Sequence, residues 1–232
     1  MSIIPVSTKR LNERTVAVWD PVVRYGHWAL VLAFAAAYLS GEEEAGGADA
    51  LHVWSGYIVG VIVAVRVVWG FIGPRYARFS DFIYGPAQIV RYLNDLVRGR
   101  GRRYLGHSPA GGAMVIALLV CLTGTVGTGL VAYGQAGKGP LAAVVPAIVT
   151  PSHADEDGHG ASLPSPATRD AASAALAESE REGGTVGELH DLFANVTLAL
   201  AVLHVLGVGL ASFMHRESLV KAMIFGTKRA ED

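Results

Sequence analysis

The sequence is poor in charge and almost without cysteine. Charged residues make up 17% of its 232 residues, against about 25% in an ordinary soluble domain. Such a deficit argues against a surface solvated by water all round. The single cysteine, Cys121, lies inside an apolar run. It excludes an intrachain disulfide, and the lack of any CxxCH run excludes covalent attachment of a c-type haem. Basic and acidic residues balance at 19 and 20, so no excess of positive charge points to nucleic acid. Met1 to Arg10 carry no apolar stretch behind a basic start, and a cleaved signal peptide is not expected.

Apolar residues dominate instead, at 51% with a mean hydropathy of +0.37. A membrane helix needs roughly 20 mostly apolar residues, and four stretches qualify: about 22–39, 52–72, 110–133 and 189–213. Pro21 suits a first helical turn, where its missing N–H is harmless, and Gly73-Pro74 stops the second stretch. A fifth run, Leu141 to Val149, is too short to span and is expected to lie on the membrane surface. The fold expected is all-α: an integral membrane four-helix bundle forming one domain over residues 1–232. A long loop, 134–188, joins the last two spans. Its middle, Pro151 to Glu182, has the Ala, Gly, Ser, Pro and acid content of a poorly ordered segment.

The cations are distributed unevenly. Lys9, Arg10, Arg14 and Arg24 stand at the N-terminal side, and Arg75, Arg78, Arg91, Arg98, Arg100, Arg102 and Arg103 lie between spans two and three. Arg216, Lys221, Lys228 and Arg229 follow span four. The loop after span one has no Lys or Arg but carries Glu42, Glu43, Glu44 and Asp49. The 134–188 loop sets Lys138, Arg169 and Arg181 against eight acids. The positive-inside rule puts both termini in the cytoplasm of a bacterial inner membrane, with the two acidic loops outside.

An ionisable residue inside a span is a functional candidate, because desolvating it is costly. His27 lies near the inner end of span one, His52 opens span two, His190 opens span four, and His204 sits deeper in the same helix. His190 and His204 are 14 residues apart, close to four turns, so they share a face at roughly 21 Å separation. Between them lie Ala194, Thr197 and Ala201, all small, leaving a groove for flat macrocycles. His52 and Arg66 repeat the interval, with Gly56 and Gly60 between. Depth pairs His52 with His190 and His27 with His204. Two imidazoles on each of two haem irons leave no open coordination position, which favours electron transfer. Zinc, the rival ligand set, requires four ligands converging on one point. Arg66 either pairs with a haem propionate or snorkels to phosphates.

Several segments carry a family likeness. They are Val18-Trp19-Asp20-Pro21 through Arg24-Tyr25-Gly26-His27-Trp28, His52-Val53-Trp54-Ser55-Gly56 through Arg66-Val67-Val68-Trp69-Gly70, and Gly106-His107-Ser108-Pro109-Ala110-Gly111-Gly112. Glu188-Leu189-His190 with His204, and His215-Arg216-Glu217 with Lys221-Ala222-Met223, complete the set. In these the chain resembles the bacterial, Ni-hydrogenase-type cytochrome b561 family across all four spans. The resemblance implies two haem b groups ligated by His27, His52, His190 and His204. It also implies electron exchange between a quinone and a redox partner at the outer face, a hydrogenase or a c-type cytochrome. One branch instead oxidises superoxide and reduces quinone, and that is the alternative function. The acidic outer loops oppose an anionic substrate and favour a basic partner.

The expectation is therefore an electron-transfer subunit rather than a stand-alone enzyme, with no catalytic side chain singled out. A quinone site is expected near the inner haem, with Arg24, Tyr25, His107 and His215 as candidates. Trp28 and Trp54 are candidates to pack on a haem, against an interfacial aromatic belt. Gly124, Gly127 and Gly129 suggest close helix packing in span three. His153 and His159 flank an acidic run of metal-like composition that mobile loops commonly show. A homodimer stays open.

Overall fold

The computed structural model describes residues 15–41, 50–145 and 166–230. The readings made for Glu42 to Asp49, for Val149, for the His153–His159 run and for Pro151 to Ser165 lie outside these residues. Eight elements follow one another: β1 (Thr15–Ala17), α1 (Pro21–Leu39), α2 (Ala50–Ile72), α3 (Pro86–Val97), α4 (Pro109–Gln135), α5 (Pro166–Met214), α6 (Leu219–Phe225) and β2 (Thr227–Arg229), with two 3-10 turns, Arg75–Ala77 and Phe79–Asp81, after α2. Among the described residues four helical segments are long and apolar enough to cross a membrane: α1, α2, α4 and Gly184–Met214 of α5. The shortest, with 19 residues, reaches roughly 28 Å, close to the thickness of the hydrocarbon layer. Their outward faces are apolar: Leu32, Val61, Phe71 and Phe213 are largely exposed, as helices solvated by lipid require. The chain is a four-span membrane protein.

Packing divides the chain into two compact units. The first comprises Met1–Ala29, Val65–Val115 and Leu203–Asp232; the second comprises Leu30–Ala64 and Ile116–Val202.

In the first unit Asp20 caps α1. Its Oδ1 accepts the N–H groups of Val22 and Val23 and the indole N–H of Trp69. An aspartate at the N-cap followed by proline at the first helical position is a strong start signal. The chain segments at either end then meet: β1 pairs antiparallel with β2, Val16 opposite Lys228. Gly226 makes the turn into β2 with φ +82°, and a Cβ there would stand 2.7 Å from the Trp19 carbonyl oxygen, so only glycine fits. Val18, Trp19, Val23, Ala77 and Ala222 form the core of this unit, with Trp69, Tyr76 and Met223 against it. α3, missing from the sequence expectation, buries Tyr92 and Leu96 while Val90, Leu93 and Val97 stay exposed.

The C-terminal segment is also tied by charge to the connection between α3 and α4. Arg103 forms two hydrogen bonds to Glu217, at 3.1 and 2.8 Å, and a third to the Arg229 carbonyl. Burial works to raise the Glu217 carboxyl. The Arg103 hydrogen bonds and charge, followed by Lys228 and the Arg229 N–H, outweigh it and hold Glu217 below the usual glutamate range. A carboxylate lowered in the folded state stabilises the fold above its unfolded value of about 4.3. That stabilisation is lost as pH falls through the lower folded value. Glu217→Gln is therefore expected to cost about 1–3 kcal/mol at neutral pH and to flatten the acid limb of thermal stability measured in detergent. An acid limb identical to that of the unsubstituted protein would contradict this role.

Candidate functional site

The four span histidines fall into two facing pairs, one wholly in each unit. In the second unit the rings of His52 (α2) and His190 (α5) have centroids 5.9 Å apart at an interplanar angle of 73°. In the first unit the rings of His27 (α1) and His204 (α5) are 6.4 Å apart at 55°. An iron–imidazole bond of ~2 Å on each side, plus about 1 Å from nitrogen to ring centre, puts two axial rings ~6 Å apart. Both pairs meet that spacing. Among the described residues no three His, Cys, Asp or Glu side chains gather at one point, as a tetrahedral zinc site would require.

The second-unit pair is held from behind. His52 Nδ1 lies 2.8 Å from the Ala37 carbonyl oxygen, and His190 Nδ1 lies 2.9 Å from that of Thr125. A carbonyl only accepts, so both Nδ1 atoms carry the proton and both Nε2 lone pairs are left for a metal. Carbonyl partners of this kind fix the ring orientation of haem ligands. His190 reaches Thr125 because α4 has no side chain at Gly129: a Cβ there would stand 2.9 Å from His190 Cε1. Thr128 Oγ1 adds a contact at 3.3 Å to the same Nδ1. Around Gly56, one turn along α2 from His52, a Cβ would meet nothing within 4 Å, which leaves room for a planar group. Gly60 instead faces Val126 at 3.1 Å. Thr197 is buried against α4, donating to the Phe193 carbonyl and 3.5 Å from Thr125 Oγ1, while Ala194 and Ala201 are half-buried. Trp54 is 67% exposed and lies edge-on to Tyr57. Gly124 lies against the Phe193 ring, and Gly127 faces open space.

The first-unit pair is held differently. Trp28 stands edge-on to His27 at 5.2 Å, and His27 Nδ1 is buried without a hydrogen-bond partner. Arg66, on α2, stacks over Phe79 and Phe82, with a buried Nη1 that also has no partner. Arg24 and Tyr25 line one pocket with Trp28, Met223 and Ile224, about 360 Å³ in volume. The Arg24 guanidinium donates to the Ile224 carbonyl at its rim. Of the four quinone candidates only these two share that pocket. His107 packs between Trp19 and Phe82. Burial, then the Arg66 and Lys228 cations and His204, push it down to about 3. His215 sits by the Arg103–Glu217 pair, held below the usual histidine range by burial and by Arg103.

Two pairs of facing imidazoles thus stand on the membrane-spanning helices, and the class this defines is a multi-pass membrane protein with paired histidines in its spans. Residues 18–226 match the family model for prokaryotic cytochrome b561, and the chain belongs to that family. No curated protein and no solved structure matches it. Family membership makes it a di-haem membrane electron-transfer protein whose cofactors are haem b.

Proposed function

We propose that the chain carries electrons between a quinone and a redox protein on the opposite side of the membrane. In this reading His52 with His190 and His27 with His204 are the axial ligands of the two haems. The observation that carries it is the pair of imidazole spacings, 5.9 and 6.4 Å, each with room for one iron between the rings. When bound, the haems supply reversible one-electron exchange without an open coordination position. The chain's own residues do the rest. The Ala37 and Thr125 carbonyls orient the second-unit rings, and apolar helix faces exclude water.

The cation-rich termini and the 75–103 connection support placing the first unit at the cytoplasmic side. The pocket beside Trp28 then receives the quinone head group. Arg24 and Tyr25 offer polar contacts, while Trp28, Met223 and Ile224 offer apolar ones. Twelve acids against three bases in the two outer loops attract a basic partner, such as a c-type cytochrome, through a field that salt weakens.

The test is reduction of the purified haem protein by a soluble quinol. Filling the pocket with Met223→Trp is expected to slow quinol-driven reduction at least tenfold while dithionite still reduces both haems. Equal quinol rates in the two proteins would remove the pocket from the reaction.

A further inference from the structure

We infer that Arg66 and His107 form a clamp for one propionate carboxylate of the haem held between His27 and His204, a site that rests on that haem assignment. Arg66 is a cation within a membrane span, where an unpaired charge is costly. Its guanidinium carbon lies 5.4 Å from the Phe79 ring centre and 5.8 Å from that of Phe82. Among the described residues it forms no ion pair, and its Nη1 is buried without a hydrogen bond. The other face of the same neighbourhood is His107, whose ring is 4.4 Å from Phe82. Its Nδ1 is likewise buried and unpartnered. Two buried nitrogens without partners thus adjoin one aromatic ring, Phe82, and His204 lies within electrostatic reach of His107.

The surrounding charges call for an anion. Asp20 is the acid that acts on Arg66, but its Oδ1 accepts from Val22, Val23 and Trp69. Glu217 is held by Arg103, and Asp81 faces Arg75. Lys228, 5% exposed, donates to the Tyr104 carbonyl and lies over Trp19, the ring on the far side of His107. Three cations, Arg66, Arg103 and Lys228, therefore share two acids, Asp20 and Glu217. A carboxylate satisfies this arrangement: one oxygen accepts from the Arg66 guanidinium, the other from the His107 N–H. Orphaned buried donors are expensive, and a haem seated between His27 and His204 brings carboxylates of its own.

The experiment uses the purified holoprotein with Arg66→Leu, His107→Leu and His107→Asn, the last keeping an N–H donor near the Nδ1 position. Near-infrared magnetic circular dichroism reads the bis-imidazole ligation, resonance Raman reads the propionate bending band, and a redox titration reads both potentials. His107→Leu is expected to shift the propionate band and to lower the potential of one haem, since weaker compensation of the carboxylate favours the more positive oxidised iron. Arg66→Leu shifts both further, and His107→Asn restores the band. Bis-imidazole ligation stays intact throughout. Should His107→Leu fail to assemble, Arg66→Leu and His107→Asn decide alone. An unmoved propionate band and unmoved potentials, with both haems still bis-imidazole, overturn the clamp but leave the ligand assignment standing. Absence of that ligation in the unsubstituted protein overturns the assignment and the clamp with it.

Discussion

Replacing His204 by alanine is expected to lower the haem content from two per chain to one, with the surviving haem spectrally identical to the one ligated by His52 and His190. The expectation follows from the division of the ligands. His27 and His204 face each other within the first unit, and His52 and His190 within the second. Neither pair borrows a ring from the other. Alanine at 204 leaves one imidazole, His27, with no opposing ligand and a void where the ring stood. The second-unit rings keep their hydrogen bonds to Ala37 and Thr125, so their affinity has no reason to fall. His190→Ala gives the complementary loss. The measurement is haem per polypeptide by pyridine haemochrome, together with low-temperature spectra of what remains. Loss of the His52 haem alone in His204→Ala would refute the pairing.

Much of this was legible in the sequence, for identifiable reasons. The spans are long apolar runs whose ends carry their own punctuation: Asp20-Pro21 before α1, Gly73-Pro74 after α2. Their observed limits, 21–39, 50–72, 109–135 and 184–214, lie close to those read from composition, except at the start of α5. There the helix runs back to Pro166, because helical hydrogen bonding does not require the apolar residues by which a span is recognised. That His190 and His204 share one face of α5 was also foreseeable, since 14 residues is near a whole number of turns. Other features left no local trace. β1 and β2 are three residues each and lie more than 200 positions apart, so no periodicity announces them. α3 is amphipathic rather than apolar, and a search for spans passes over it. The carbonyl partners of His52 and His190 are backbone atoms of Ala37 and Thr125, which side-chain patterns cannot name. The Thr197 contact with α4 emerges only from helix packing.

Gly129 offers the sharpest separation of ligand orientation from ligand identity. Gly129→Val is expected to strip the second-unit haem while leaving His190 in the chain and the first-unit haem in place. A Cβ at this position would stand 2.9 Å from His190 Cε1 and 3.1 Å from Nδ1, closer than van der Waals contact permits. The imidazole must therefore swing away, and its hydrogen bond to the Thr125 carbonyl breaks. Gly129→Ala forces only a small displacement of the ring. It weakens the bond that orients the ligand, and loss of such an outer partner typically reduces metal affinity about 10–100-fold. The valine adds two methyl groups to the same clash and carries the loss to completion. Gly127→Ala is the control two residues away. It lies about 200° round α4 from Gly129 and nothing lies within 4 Å of its would-be Cβ, so the His190 ring should be undisturbed and the helix stabilised by about 0.5–1 kcal/mol, the usual gain of alanine over glycine. Haem titration of the apoprotein, read separately for the two haems, gives each affinity. A second-unit haem bound as tightly by Gly129→Val as by Gly127→Ala would show that the Thr125 hydrogen bond does not hold the His190 ring in its ligating orientation.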